Sequence, residues 1–125
     1  MNNVMKFIKE QVNDRLLNLH TSYIAKVIGV SDNTAKIQPL HRMKERGSLA
    51  EKYPVVEDVP IASYPIGDSQ GKLNIKKGDT VLCLVCERSI DEGLNGEVYT
   101  PLTGKHHSIN DSVIIAKIGG WQWKV

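Results

Sequence analysis

The feature that most constrains this chain is a run of six apolar residues, 81–86, between a turn and a polar segment. Gly78 and Asp79, a pair typical of tight turns, precede the run. The polar segment 87–91 ends it. The run is too short to span a membrane and has the length of a β-strand buried on both faces. We therefore predict a central strand at 81–86, with other strands on either side of it.

The composition is that of one ordinary globular domain. The chain has 125 residues, of which 41% are hydrophobic and 24% charged, and its formal net charge is +2 at pH 7. A chain of this length buries a sizeable core without disulfides or metals. The nearly balanced charge does not favour nucleic-acid binding, which usually relies on a strongly basic surface. The first residues lack the pattern of a secretory signal, so we expect synthesis and residence in a cytoplasm.

The N-terminal segment 3–19 is predicted to form an amphipathic helix, because its apolar residues recur at spacings of three and four. This apolar stripe either packs on the sheet or contacts another subunit, and the sequence leaves both readings open. The stripe consists of Val4, Phe7, Ile8, Val12, Leu16 and Leu19.

The rest of the chain predicts about five short strands joined by turns and loops. Besides the central strand, the predicted strands are 22–28 and 34–40, which form a hairpin around the turn 31–33, then 54–62 and 112–118. Prolines bracket segment 54–62 and favour a position at the sheet edge. The predicted irregular segments are an exposed loop at 41–52, a long turn at 64–71 and a long surface loop at 92–105.

Five short strands and one helix outside them predict a mainly β fold, a small five-stranded OB-fold-like Greek-key barrel. An SH3-like barrel or a small sandwich fits the same pattern, because one sequence does not reveal strand order. The predicted boundaries are 1–20 for the N-terminal helix, 21–118 for the barrel and 119–125 for a C-terminal tail.

The two cysteines, Cys83 and Cys86, are spaced as in redox and zinc sites. Residues three apart on a strand point to opposite faces, so these thiols can neither bond to each other nor share a metal without breaking the strand. We expect both to be reduced residues of the core or of the sheet face.

Other candidate catalytic residues lack the partners that chemistry requires. His106 and His107 face opposite ways on an extended chain, so we expect a loop pair, one of them capping the last strand, and no metal site. Ser89 has no nucleophile elbow around it, and we expect its hydroxyl to cap a corner. Glu57 and Asp58 face apart on a predicted strand, unlike the paired carboxylates of a glycoside hydrolase. We therefore predict a protein that is not an enzyme and has no cofactor.

The tail carries Trp121 and Trp123, which point the same way on an extended segment. Both indoles either face a partner, since tryptophan is enriched in interface hot spots, or fold back over the barrel core. Base stacking is a third reading.

Several segments, taken in order, resemble the N-terminal OB-fold domain of central spike proteins from contractile phage tails. They are Val59-Pro60, Lys77-Gly78-Asp79-Thr80-Val81-Leu82, Glu87-Arg88-Ser89-Ile90-Asp91 and His106-His107-Ser108-Ile109-Asn110-Asp111-Ser112. The similarity spans roughly residues 23–118. Its most specific parts are the Gly-Asp turn into an apolar strand that ends in Arg-Ser-Ile-Asp, and the later His-x-x-x-Asp from His107 to Asp111.

The resemblance implies a structural part of a virion tail baseplate, in which three copies assemble about the tail axis. In that family a β-helical needle usually follows the OB domain. The printed chain ends at Val125, so we expect a hub that joins the tail tube to a separate spike tip or needle. Expected partners are two further copies and other tube or baseplate proteins, with no small-molecule substrate and only indirect membrane contact.

The resemblance also implies roles for individual residues. The expected structural corner consists of Gly78, Asp79, Arg88, Ser89, Asp91, His107 and Asp111, with Arg88 paired to a carboxylate such as Asp91 or Asp111. The expected interface residues are Val4, Phe7, Ile8, Leu16, Trp121 and Trp123.

The alternative function is an OB-fold module that binds single-stranded nucleic acid or oligosaccharide. Such a module needs exposed aromatic side chains in a basic groove. The chain has only two Trp, four Tyr and one Phe, and Phe7 belongs to the helix stripe, so this reading comes second.

Overall fold

The computed structural model of the chain describes residues 2–17, 19–43, 51–101, 104 and 106–119. Trp121 and Trp123, both predicted interface residues, lie outside this part of the chain. No helix among the described residues has the length and apolar character needed to cross a bilayer.

The described elements are one α-helix, short 3₁₀ turns and mostly short strands. In chain order they are α1 (Asn3–Leu17), β1 (Ser22–Ser31), β2 (Thr34–Pro39), β3 (Arg42–Met43), β4 (Glu51–Lys52), β5 (Val56–Pro60), β6 (Ser63–Ile66), β7 (Ser69–Lys72), β8 (Thr80–Val85), the 3₁₀ turns η1 (Asp91–Gly93) and η2 (Ile109–Asp111), and β9 (Ser112–Ile118).

The main sheet has five strands in the order β5-β2-β1-β8-β9, and all neighbours are antiparallel. The sheet curls until its two edges meet, where Ile61 forms a parallel bridge with Ile114. At the same place the Ala62 amide donates to the Ile114 carbonyl at 2.9 Å. The predicted fold class is therefore confirmed: a mainly β, small barrel-like domain with one N-terminal helix.

The predicted hairpin is confirmed as β1 and β2, joined by a two-residue turn. Asp32 adopts a φ of 46° in this turn, a left-handed conformation that aspartate tolerates better than most residues. The pairing register shifts between Val27 and Gly29, which marks a β-bulge. The second strand ends at Pro39, which cannot donate to a ladder.

The run at 81–86 forms β8, but two details of its prediction are wrong. The strand lies inside the sheet between β1 and β9, and β1 takes the central position. It is buried on one face only, since Val81, Cys83 and Val85 are buried whereas Leu84 is 46% exposed. Because residues 81–86 are all apolar, the sequence did not show which face of the strand is exposed.

The predicted long turn at 64–71 is wrong, because β6 and β7 form a hairpin there. The chain reverses at Gly67 and Asp68, and Gly67 has a φ of 59°, which glycine adopts without a Cβ penalty. Ser63 and Tyr64 are both exposed. The two strands read Ser-Tyr-Pro-Ile and Ser-Gln-Gly-Lys, without the regular alternation of apolar and polar residues that predicts a strand. The predicted loop at 41–52 holds the short β3–β4 ladder at its ends, and residues 44–50 lie outside the described part.

The core lies on the concave side of the curled sheet. Its least exposed large side chains come from β1, β2, β5, β8 and β9, and they are Val27, Ile37, Val59, Val81, Cys83 and Ile114. Strand β5 lies at one edge of the sheet, as the flanking prolines predict.

Candidate functional site

Helix α1 begins with a side-chain cap and carries a basic residue in its last turn. The Asn2 side-chain oxygen accepts a hydrogen bond from the Met5 amide at 2.9 Å, which satisfies one of the free amides at a helix start. Arg15 lies in the last turn, where a positive charge interacts favourably with the helix dipole.

The apolar stripe of α1 is exposed, so it does not pack on the chain's own core. Val4 is 64% exposed, Phe7 60% and Leu16 61%. The other exposed members are Ile8, Val12 and Leu19. A contiguous apolar surface of this kind on a soluble domain usually marks an interaction site. Among the described residues the stripe is not covered by the barrel, and its contact with another chain stays a prediction.

The polar corner after β8 is joined to the segment before β9 by backbone hydrogen bonds. The Cys86 amide donates to the Asp111 carbonyl at 2.8 Å, and the His107 amide donates to the Glu87 carbonyl at 2.9 Å. The two chain segments thus stay paired beyond the last residues of the strands. His107 has a φ of 49°, which turns the chain toward the start of β1.

Asp111 is 6% exposed and ends the 3₁₀ turn η2 directly before β9. The Ser108 hydroxyl caps this turn by accepting from the Asn110 amide, and the Asp111 amide donates to the Ser108 carbonyl at 2.9 Å. The His-x-x-x-Asp pattern therefore corresponds to a capped turn that leads into the last strand. The predicted pairing of Arg88 with Asp91 or Asp111 stays a prediction.

Ser89 is buried in the corner, and its hydroxyl lies 3.3 Å from the Glu92 carboxylate in η1. Its carbonyl accepts a hydrogen bond from the Tyr99 hydroxyl. Tyr99 also covers Gly93, where a Cβ would come within 2.3 Å of the ring. Sequence reasoning missed Tyr99, since it lies in an irregular segment without periodicity.

Gly78 and Asp79 form a separate turn at the start of β8. Gly78 has a φ of 96°, and the pair holds the β1 residue Val27 by reciprocal backbone hydrogen bonds of 2.8 Å. The Asp79 carboxylate accepts from the Lys76 amide at 2.8 Å and lies 3.3 Å from the Lys117 ammonium group. The hydrogen bond from Lys76, followed by the nearby Lys117, lowers the pKa of Asp79.

The seven predicted corner residues therefore do not form one cluster. Gly78 and Asp79 precede β8, whereas Arg88, Ser89 and Asp91 follow it. A six-residue strand separates the two groups by about 20 Å. His107 and Asp111 belong with the second group.

A second group of side chains lies where α1 leads into β1. The His41 ring lies 4.8 Å from the Tyr53 ring and 5.6 Å from the Tyr23 ring, and the His20 ring lies 5.7 Å from Tyr53. His107 Nδ1 lies 3.1 Å from the His20 carbonyl. Burial, the His41 charge and the His107 charge all lower the pKa of His20. No local sequence motif predicts this group of side chains, because its members come from distant parts of the sequence.

The two cysteines are both free thiols. Cys83 lies in the core, where burial raises its pKa to about 11. Cys86 is half-buried, and burial together with the Asp111 charge raises its pKa. No set of three or more His, Cys, Asp or Glu side chains among the described residues is placed to hold a metal ion.

Fold and surface together define a small mainly β domain with an apolar helix face exposed outside the barrel. Residues 25–117 match the family described as phage protein Gp138 N-terminal domain, and the chain belongs to that family. The match runs from β1 into β9 and leaves α1 outside. No curated protein matches the chain. The coarser part of the sequence-based prediction, a structural and virion-associated phage protein, is thereby supported.

Proposed function

We propose that the chain is a structural, non-enzymatic component of a contractile tail baseplate, in a phage or a phage-derived particle. Three copies form a central spike or hub that joins the tail tube to the tip. The observation that carries this proposal is the exposed apolar stripe of α1. The family match supports a phage protein, and the resemblance described above supplies the baseplate and the number three.

Burial of the apolar stripe of α1 by a partner would give a favourable free energy of association. Burying one large aliphatic or aromatic side chain stabilises a complex by about 1.5–3 kcal/mol before the costs of association are subtracted. Five such side chains on one helix face, with Leu19 just beyond the helix, therefore supply several times the energy that a single contact gives. A helix of 15 residues is also marginal by itself in water. A partner that covers the stripe would stabilise the helix as well.

The barrel supports the OB-fold part of the proposal. Strands β1, β2 and β5 form a meander, β8 and β9 add to the other side of β1, and the Ile61–Ile114 bridge closes the sheet. This is a five-stranded, partly open barrel, as in OB-folds. Rigid barrels of this kind suit a ring, with the helices available for contact between copies or with neighbouring tail proteins.

The ligand-binding alternative gains no specific support from the described tyrosines. Tyr23 is buried, and the hydroxyl of Tyr99 is bonded to Ser89. Tyr64 is exposed, but its hydroxyl donates to the Ile115 carbonyl. A stacking surface needs several aromatic faces side by side along a basic groove. Tyr23 and Tyr53 both contact the His41 ring, whereas Tyr64 and Tyr99 lie elsewhere in the fold, so the four described tyrosines do not form one row of stacking faces.

The test is the solution mass of the purified chain, measured by light scattering after size exclusion over a range of concentrations. We expect about three times the 13.9 kDa chain mass. Ile8→Lys places a charge in the stripe and should give a monomer. Asn13→Lys adds the same charge to the opposite side of the exposed helix and should remain a trimer.

A wild-type monomer at all concentrations, or equal masses for both variants, would contradict self-assembly through the stripe. Circular dichroism of each variant checks that the barrel is folded. A folded monomer that binds oligonucleotides or oligosaccharides would support the alternative function instead.

A further inference from the structure

A pocket of about 270 Å³ opens at the junction of α1 and β1. Its polar lining comes from His20, Thr21, Ser22, His41, Arg42 and Tyr53. All of these side chains can donate hydrogen bonds, and one of them is always positively charged. None of the described lining residues carries a carboxylate. The pocket is therefore suited to a ligand that accepts hydrogen bonds and carries negative charge.

The β3–β4 ladder adds a second positive charge beside the pocket. Arg42 pairs directly with Lys52 in this ladder, so the two side chains emerge side by side on the same face. Both residues are exposed, and neither forms an ion pair with another described residue. Like charges directly opposite each other destabilise a strand pair. An anion placed between them would reverse this effect.

The histidines add hydrogen-bond donors to the pocket wall. Burial, followed by the nearby charges of His41 and His107, lowers the pKa of His20, so its imidazole is mainly neutral at pH 7 when no anion is bound. Burial raises the pKa of Tyr53 above its ordinary value of 10.0, so its hydroxyl is protonated and can donate at neutral pH. A bound anion would make protonation of these imidazoles more favourable and would gain charge-assisted hydrogen bonds from them.

We propose that this pocket binds an oxyanion, either a phosphate or a carboxylate. Arg42 and Lys52 supply the charge that attracts it, and His20, His41 and Tyr53 supply further donors at the pocket wall. The anion is either a small molecule from solution or an acidic side chain of a neighbouring protein. Because the pocket lies beside the end of α1, its occupancy would stiffen the joint between the helix and the barrel.

The experiment is a nuclear magnetic resonance titration of the full isotope-labelled chain at constant ionic strength. One arm uses inorganic phosphate and the other uses succinate, a dicarboxylate. We expect saturable shifts of the His20 and His41 imidazole signals and no saturable shift at His106, which is exposed and lies outside the pocket lining. Arg42→Gln should weaken binding about tenfold, as expected for loss of one charge-assisted hydrogen bond.

Lys6→Gln is the control, because it removes one positive charge from an exposed position near the start of α1, away from the pocket, and should leave binding unchanged. Lys52→Gln is a second test of the pocket if Arg42→Gln perturbs the fold. Saturation by phosphate alone supports a phosphate-bearing ligand, and saturation by succinate supports a carboxylate ligand. Linear shifts without saturation, or equal weakening in Arg42→Gln and Lys6→Gln, would overturn the proposal.

Discussion

The Tyr23 hydroxyl donates a 2.7 Å hydrogen bond to Ser112 Oγ, and this bond joins the first and last strands of the main sheet across 89 residues of sequence. Both residues are buried. Ser112 in turn donates to the Ile109 carbonyl in η2. The end of the barrel beside the polar corner is thus fixed by a short chain of buried hydrogen bonds.

Removing either partner of this bond should destabilise the domain by different amounts. Tyr23→Phe keeps the ring and the Ser112–Ile109 bond, so we expect a loss of about 1 kcal/mol in the free energy of unfolding. Ser112→Ala leaves both the buried tyrosine hydroxyl and the Ile109 carbonyl without this partner, so we expect a larger loss, about 1–3 kcal/mol. Urea unfolding measures both values. Ser22→Ala, at an exposed neighbour, should change little, and a loss equal to that of Ser112→Ala would contradict the assignment.

The two thiols should differ in reactivity. Cys83 is buried and its pKa is raised to about 11, whereas Cys86 is half-buried at the end of β8. Since the thiolate is the reactive form, we expect a thiol reagent to modify Cys86 first, and faster as the pH rises. Cys83 should react only when the barrel opens.

The thiol reagent should be one that releases a coloured leaving group on reaction. The absorbance of that group follows the reactions of both thiols in the native protein. Cys86→Ala should abolish the faster phase and leave the slower one. Retention of the faster phase in that variant would show that Cys83 is accessible.

Acid should weaken the domain through His20. Its pKa in the folded chain is lower than the ordinary value of 6.5, so the unfolded chain binds the proton more tightly. Above pH 6.5 His20 is mainly neutral in both states, so the difference in pKa does not change the free energy of unfolding. As the pH falls from 6.5 toward the folded pKa, the unfolded chain takes up the proton first and the free energy of unfolding decreases. Urea midpoints at pH 7.5 and 5.5 should therefore differ less in His20→Gln than in the wild type.

His106→Gln serves as the control for this pH effect, because His106 is exposed in the loop before β9. Its change in midpoint between the two pH values should equal that of the wild type. If the urea midpoint of His20→Gln also changes as much as that of the wild type, the imidazole group at the α1–β1 junction does not affect stability in acid.

Gly93→Ala should release Tyr99 from the polar corner. The added Cβ would approach the Tyr99 ring to 2.3 Å, so the ring must move and its hydrogen bond to the Ser89 carbonyl is lost. We expect a destabilisation of about 1 kcal/mol and a shift of the Tyr99 ring resonances. Gly104→Ala has no atom near its Cβ and should leave both quantities nearly unchanged. Unaltered Tyr99 resonances in Gly93→Ala would contradict this packing.

Local patterns in the sequence were enough to predict most of the main sheet. The β1–β2 hairpin has turn residues between two alternating segments, and β9 is an apolar run with clear ends. The order of the strands depends on contacts between distant residues such as Ile61 and Ile114. No local pattern reports such contacts, so the topology required the structure.

The errors have a common physical cause: the sequence does not show what covers a surface. Leu84 is as apolar as its buried neighbours, yet it faces outward. The β6–β7 hairpin is held by backbone pairing around a turn at Gly67, and the sequence of its short strands has no apolar periodicity that would predict it. The pocket at His20, His41 and Tyr53 was missed because the loop beyond β2 brings these rings together only in three dimensions.

The parallel bridge between Ile61 and Ile114 has a consequence for the time course of folding. The β1–β2 hairpin joins strands that are adjacent in sequence, whereas this bridge joins residues far apart in the chain, so we expect the hairpin to form before the bridge. Until then the edges of β5 and β9 are open to pairing with another chain. Newly made copies at high concentration would therefore gain from rapid closure of this seam.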